Sequence, residues 1–270
     1  MNYLVVGGSK NIGYLTSVRL LESGNTVTFL LRKLSVFEND ETIQKYVKSG
    51  HVRLVQGDAL SRDDVARAWQ KAAEGEPGLV EGVVFSVGGI PSFKLTKGFV
   101  QTPANLVTLC LLNVLATWPH AMAKQPKLVV VTSNGLSKET HNALPFLLRL
   151  MYSYLLAQPH EDKLGVERAV YQAAGREWKE REPNQEVLHS GWKSLLREGA
   201  WLPDTVIVRP ALFTDGECLA DAPKPKLYRT SDGVLPSAWT ISRKDTAHFI
   251  ATKVLADWDS WKGKEIVIAY

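Results

Sequence analysis

Cysteine is scarce: Cys110 and Cys218 are the only two in 270 residues. That excludes a disulfide-stapled scaffold, and no CxxC or Cys/His spacing supports a metal site. Cys110 lies in the apolar run Leu109-Cys110-Leu111-Leu112, where a buried small hydrophobe is the simplest reading. Long runs of one charge are also missing. With 32 Lys+Arg against 28 Asp+Glu, the net charge of +4 is too weak over this length to indicate nucleic acid. The opening MNYLVVGGSK has no basic region, and its apolar stretch is far too short for export or a membrane span. The expectations are a cytoplasmic chain with a small-molecule substrate and no membrane partner, as a monomer or homodimer. No Pro/Gly/Ser-rich linker or internal repeat divides the sequence. At 45% hydrophobic and 22% charged residues, it reads as one globular domain.

What is present is an alternation. Short β-branched runs at 3–6, 26–31, 52–55, 82–87, 128–133, 205–208 and 265–268 read as strands. Between them lie helical patterns at 12–23, 40–48, 103–122, 143–174 (two pieces, broken near Pro159) and 243–256, with another opening at the N-cap signal Ser61-Arg62-Asp63-Asp64. Strands alternating with helices imply an α/β fold: a doubly wound parallel sheet of Rossmann type, covered on both faces. The segment 176–203 breaks the rhythm and carries Trp178, Trp192 and Trp201; a helical insertion is expected there. A small C-terminal substrate-binding lobe is expected from about residue 210.

The first strand runs into Gly7-Gly8-Ser9-Lys10-Asn11-Ile12-Gly13, directly before the first helix. Glycines 7 and 8 permit a tight turn and a close backbone approach to a pyrophosphate, and Gly13 lets helix and strand pack closely. The first amides of the helix then face the phosphates, aided by its dipole. The alternative is a tight turn without a ligand. An NAD site ordinarily has a carboxylate at the end of the second strand; here Leu31-Arg32-Lys33 has none. A guanidinium grips a 2′-phosphate that an acid would repel, so Arg32, Lys33 and Lys10 together point to NADP(H). Solvated surface charge is the competing reading for Arg32 and Lys33.

This turn resembles the T-G-x-x-x-G-x-G motif of short-chain dehydrogenases/reductases, with Gly7 and Gly13 at the outer glycines and Asn11 at the middle one. Asparagine tolerates positive φ, so the exchange is mild. The resemblance implies that Asp58 and Ala59 adjoin the adenine, with capping of the next helix as an equal role for Asp58. It also implies that Val87, Gly88 and Gly89 pass beside a cofactor ribose, that Ser133 is the active-site serine, and that Lys163 holds the nicotinamide ribose. The family's Tyr-x-x-x-Lys would place tyrosine at 159, which is proline here. That departure resembles the atypical, NmrA-like and flavin/biliverdin-reductase-like branch, as do the Arg209-Pro210-Ala211-Leu212 stretch and Ile241-Ser242-Arg243-Lys244-Asp245. In that branch Pro210 and Leu212 run past the nicotinamide, and Asp245 reads as a helix cap.

His160, one residue from the missing tyrosine and three from Lys163, is the candidate acid–base group, against a plain histidine at a helix start. Tyr152, Tyr154, His120 and His141 have weaker claims. Trp192, Trp201, Trp239, Phe213 and Leu235 line a substrate pocket or belong to the core. The implied activity is NADPH-dependent reduction of a small apolar or aromatic carbonyl or conjugated compound. An NADP(H)-binding redox sensor and a non-redox isomerase or cyclase remain open alternatives.

Overall fold

The computed structural model describes residues 1–75, 79–90, 92–225 and 227–270. Twelve strands are found there: β1 (Asn2–Val6), β2 (Thr26–Leu31), β3 (Val52–Gln56), β4 (Gly82–Phe85), β5 (Ser92–Lys94), β6 (Gly98–Val100), β7 (Lys127–Val131), β8 (Thr205–Pro210), β9 (Leu212–Thr214), β10 (Arg229–Asp232), β11 (Thr240–Ser242) and β12 (Glu265–Ala269). The α-helices are α1 (Asn11–Glu22), α2 (Glu41–Lys48), α3 (Arg62–Ala72), α4 (Leu106–Ala116), α5 (Lys138–Asn142), α6 (Phe146–Leu155), α7 (Ala157–Ala174), α8 (Arg243–His248) and α9 (Trp258–Trp261).

Eight strands form one sheet in the order β3-β2-β1-β4-β7-β8-β12-β10, parallel except for β10 at the edge. This is the doubly wound α/β arrangement. Strand order reverses between β1 and β4, so a crevice opens there at the carboxyl ends of the strands. Alternation along each strand divides the core. Leu4, Val6, Leu128, Val130 and Ile207 face α3, α4 and α7, while Val5, Val129, Val131, Val206 and Val208 face the other side. Each such side chain contributes about 1.5–3 kcal/mol on leaving water, which explains why these strands are apolar on both faces.

Some expectations need correction. The helix expected over 103–122 covers only Leu106–Ala116. Its start is set by Asp162 of α7, which accepts from the amides of Val107 (2.7 Å) and Thr108 (2.8 Å). Its end precedes Trp118-Pro119, where proline disfavours helical geometry in the residue before it. The break expected near Pro159 falls three residues before it, at Leu156. Pro159 occupies the first turn of α7, where its missing N–H has no helical partner to lose.

The segment 176–203 is not a helical insertion. Apart from a 3-10 turn at Trp192–Leu195 it is irregular, punctuated by Pro183, Gly191, Gly199 and Pro203 and pinned by buried Val187, Leu188, Trp192, Leu196 and Leu202. The helix expected over 243–256 forms as α8 and continues as a π-helical stretch, Phe249–Val254. Beyond residue 210, β9 and β11 pair in parallel, but β10 and β12 join the main sheet. The C-terminal residues are thus woven into the core.

Candidate active site

The glycine turn meets the end of β4 at the switch point. Gly7 has φ +89°, and a side chain there would meet the Val87 amide nitrogen at 2.5 Å. A Cβ on Gly13 would strike Ser86 Oγ and come within 2.5 Å of the Gly7 carbonyl oxygen. Ser86 Oγ itself donates to that carbonyl at 3.2 Å, tying the turn to β4. Gly8 serves a different purpose from the one expected: its absent side chain makes room for Phe29 and Val5, so it faces the core. Asn11 adopts φ 55°, the left-handed conformation its place in the motif requires.

The first turn of α1 is left open. Lys10, its N-cap, contributes no side-chain cap, and no acidic residue lies in that turn. Asp40, Ser61, Ser137 and Ser242 by contrast cap α2, α3, α5 and α8. Ser9, Lys10, Asn11, Arg32 and Lys33 are all exposed, and neither Lys10, Arg32 nor Lys33 takes part in an ion pair among the described residues. Asp58 does not cap α3; Ser61 does. Its carboxylate accepts from the Leu60 amide at 3.0 Å, and the neighbouring Ala59 carbonyl accepts from Asn113. Gly88 faces open space, whereas a side chain on Gly89 would collide with Gln101.

A second group of side chains gathers after β7, where α7 passes the sheet. Ser133 Oγ lies 3.2 Å from His160 Nε2. The His160 ring stands edge-on to Tyr152, centroids 5.1 Å apart at 87°. Lys163, one helical turn along α7, donates to the Thr132 carbonyl at 2.7 Å. Burial, the nearby Lys163 cation and His141 push the imidazole down to about 3, so it is neutral near pH 7. Burial likewise brings the Lys163 ammonium down to about 8, opposed by Asp162 and Glu167.

Beneath this group lies an ion-pair network that sequence reasoning missed. Thr132 Oγ1 donates to Glu167 at 2.7 Å, and Glu167 accepts from Arg209 through Nε (2.9 Å) and a terminal nitrogen (2.6 Å). Arg209 also pairs with Glu265 at 2.6 Å. The available signal was Glu167, one turn beyond Lys163 on the same helix. The Arg209-Pro210 stretch reaches the site through backbone: the Pro210 carbonyl accepts from Asn134 N at 2.9 Å, and Leu212 packs against Leu144, Leu148 and Tyr152.

The proposed aromatic pocket is not assembled. Trp192 belongs to the core beside α4 and α7, and Trp201 packs on Trp118 with centroids 5.9 Å apart. Leu235 lies in the core on the opposite face, Phe213 lies under the Arg243 guanidinium, and Trp239 is exposed. Asp245 is a structural hub: its backbone amide donates to the Ser242 cap, and its carboxylate accepts from the Leu219 and Ala220 amides and the Tyr270 hydroxyl.

No family model matches the chain. A curated relative, the reductase pytE of Aspergillus terreus, is 28% identical over 149 residues, 54% of this chain and 49% of that protein. The match therefore spans about half the relative's length. Among solved structures, ChuY, an anaerobillin reductase from Escherichia coli O157:H7, aligns with a TM-score of 0.63 at 16% identity, covering 100% of this chain and 97% of that one. YwfH, an NADPH-dependent reductase involved in bacilysin biosynthesis, aligns at 0.59 with 14% identity, covering 98% and 97%. The fold implied by the sequence resemblance is the fold found. Among the described residues, no helix is long and apolar enough to cross a membrane, and no group of three His, Cys, Asp or Glu is placed to hold a metal.

Proposed function

We propose that the chain is an NADP(H)-dependent reductase of a small apolar or aromatic carbonyl or conjugated compound. The observation that carries this reading is the Ser133–His160 contact just beyond β7, at the carboxyl ends of the strands, where ligands bind in open α/β sheets. Likeness to reductases, pytE by sequence and ChuY and YwfH by fold, supports it. A dinucleotide suits the residues present: Gly7 and Gly13 leave no room for side chains, the α1 amides are uncapped, and Lys10, Arg32 and Lys33 offer free cations.

When bound, the nicotinamide supplies the hydride. The protein then binds, orients and moves a proton. Ser133 donates its hydroxyl hydrogen to the substrate oxygen as negative charge develops there. His160, neutral with its hydrogen on Nε2, passes that proton to Ser133 Oγ and takes one up from solvent at Nδ1, so the substrate gains a hydride and one solvent proton. This substitutes for the proton that a tyrosine at 159 would have given. Lys163 retains two protons beyond the one on Thr132, free to hold ribose hydroxyls. Glu167 and Arg209 fix Thr132, and with it the height of Ser133 above the sheet.

The test is NADPH consumption by the purified chain on a panel of aromatic aldehydes, enones and quinones, with coenzyme binding measured by calorimetry. Turnover that depends on Ser133 and His160 is expected. Tight binding without turnover on any compound would overturn the reductase reading in favour of a redox sensor, and no binding up to millimolar coenzyme would overturn both.

A further inference from the structure

From the outer face of α6 and the β5–β6 hairpin, we infer a docking surface for a bilayer with anionic headgroups. Helix α6 carries apolar residues on its outer side as well as its inner one, with Arg149 and Ser153 the polar exceptions, yet only the inner side is packed. Leu148 and Tyr152 face inward, while Phe146, Leu147 and Leu150 are 71%, 67% and 56% exposed. Large apolar side chains clustered on one exposed face mark an interaction surface, so the outer stripe calls for a partner. The hairpin extends the stripe with Phe93 and Leu95, the latter 80% exposed. The Tyr154 hydroxyl donates to the Leu95 carbonyl and holds hairpin and helix side by side.

Charge identifies the occupant. Residues 82–138 contain no Asp or Glu, and neither do residues 140–160. Lys94 and Lys97 are exposed on the hairpin, and Arg149 lies on α6 with a buried Nε that has no hydrogen-bond partner. None of the three joins an ion pair among the described residues. Exposed aromatic and aliphatic side chains ringed by unpaired cations are the composition of a helix lying in the plane of an anionic lipid surface. A second copy of this chain would bring the same cations against one another. The surface adjoins the candidate site, since Tyr152, on the inner face of the same helix, touches His160. A bilayer on the outer face would therefore lie about one helix diameter, roughly 10 Å, from the imidazole.

The full chain should co-sediment with vesicles of phosphatidylcholine and phosphatidylglycerol about a hundredfold more tightly than with phosphatidylcholine alone, from three cations near the surface. Lys94→Glu with Lys97→Glu should abolish the preference, and Leu95→Ser with Leu147→Ser should abolish binding to both. All four side chains are exposed, so far-ultraviolet circular dichroism should be unchanged. Equal binding to neutral and anionic vesicles, or none, would overturn the inference. So would a dimer in sedimentation velocity that Leu95→Ser with Leu147→Ser dissociates, which would assign the face to a second copy. No coenzyme is present, so the result is independent of the reductase reading.

Discussion

Glu167 grips Arg209 through two hydrogen bonds between α7 and β8, with both side chains almost fully buried. A buried pair broken on one side leaves a charge without its partner, at a cost of about 3–5 kcal/mol. Glu265 still reaches Arg209, so Glu167→Ala should fall near the lower end of that range. Urea denaturation midpoints measure it. Glu167→Met with Arg209→Met should cost less than Arg209→Met alone, because the buried Glu167 carboxylate is then gone and only the less buried Glu265, near Arg176, loses a partner.

Gly13→Ala and Gly88→Ala separate crowding from mere glycine content. A Cβ at 13 meets Ser86 and the Gly7 carbonyl, whereas one at 88 meets nothing within 4 Å. The first should lower stability by about 1–3 kcal/mol and weaken coenzyme binding; the second should leave the melting temperature in place. Differential scanning calorimetry of both variants decides it.

Arg32→Ala and Lys10→Ala address coenzyme choice. A lost hydrogen bond to a charged group is worth about 1.5–3 kcal/mol, so each change should weaken NADPH about ten- to a hundredfold. NADH, which lacks the extra phosphate, should bind the variants as it binds the unaltered chain. Calorimetric titration with the two coenzymes measures the ratio.

The pH dependence follows from two displaced groups. His160 is lowered from 6.5 to about 3, so between those values the unfolded chain binds more protons at this site than the folded one. Stability is therefore lost as pH falls through that window, and His160→Phe should flatten this part of the profile. Lys163 is lowered from 10.5 to about 8. Functions that need its cation, ribose binding above all, should decline as pH rises past about 8, and Lys163→Met should remove that limb. Thermal melts and coenzyme titrations across pH report the two effects.

Much of this architecture is legible in the linear chain because local rules and global fold agree. Residues 26–31 read as a strand and form one, since β-branched side chains are needed on both faces of a buried parallel sheet. The glycine turn is equally readable, down to positive φ at Asn11. What escapes is held by distant partners. Asp162 caps α4 from 54 residues away, and Glu167 meets Arg209 across 42. No periodicity carries such pairings. The tryptophans of 176–203 mislead for a related reason: an aromatic-rich irregular segment can be pinned by burial without any helix to announce it.

The uncapped start of α1 has a consequence for the protein at rest. Four other helices bring a side chain of their own to finish their first turn, whereas this one leaves its leading amides to solvent or to a guest. An anion arriving there completes a piece of secondary structure as well as filling a cleft. Amide exchange at residues 9–13 should accordingly slow on occupancy more than anywhere in the sheet below, making that turn the most sensitive reporter of whether the protein is loaded.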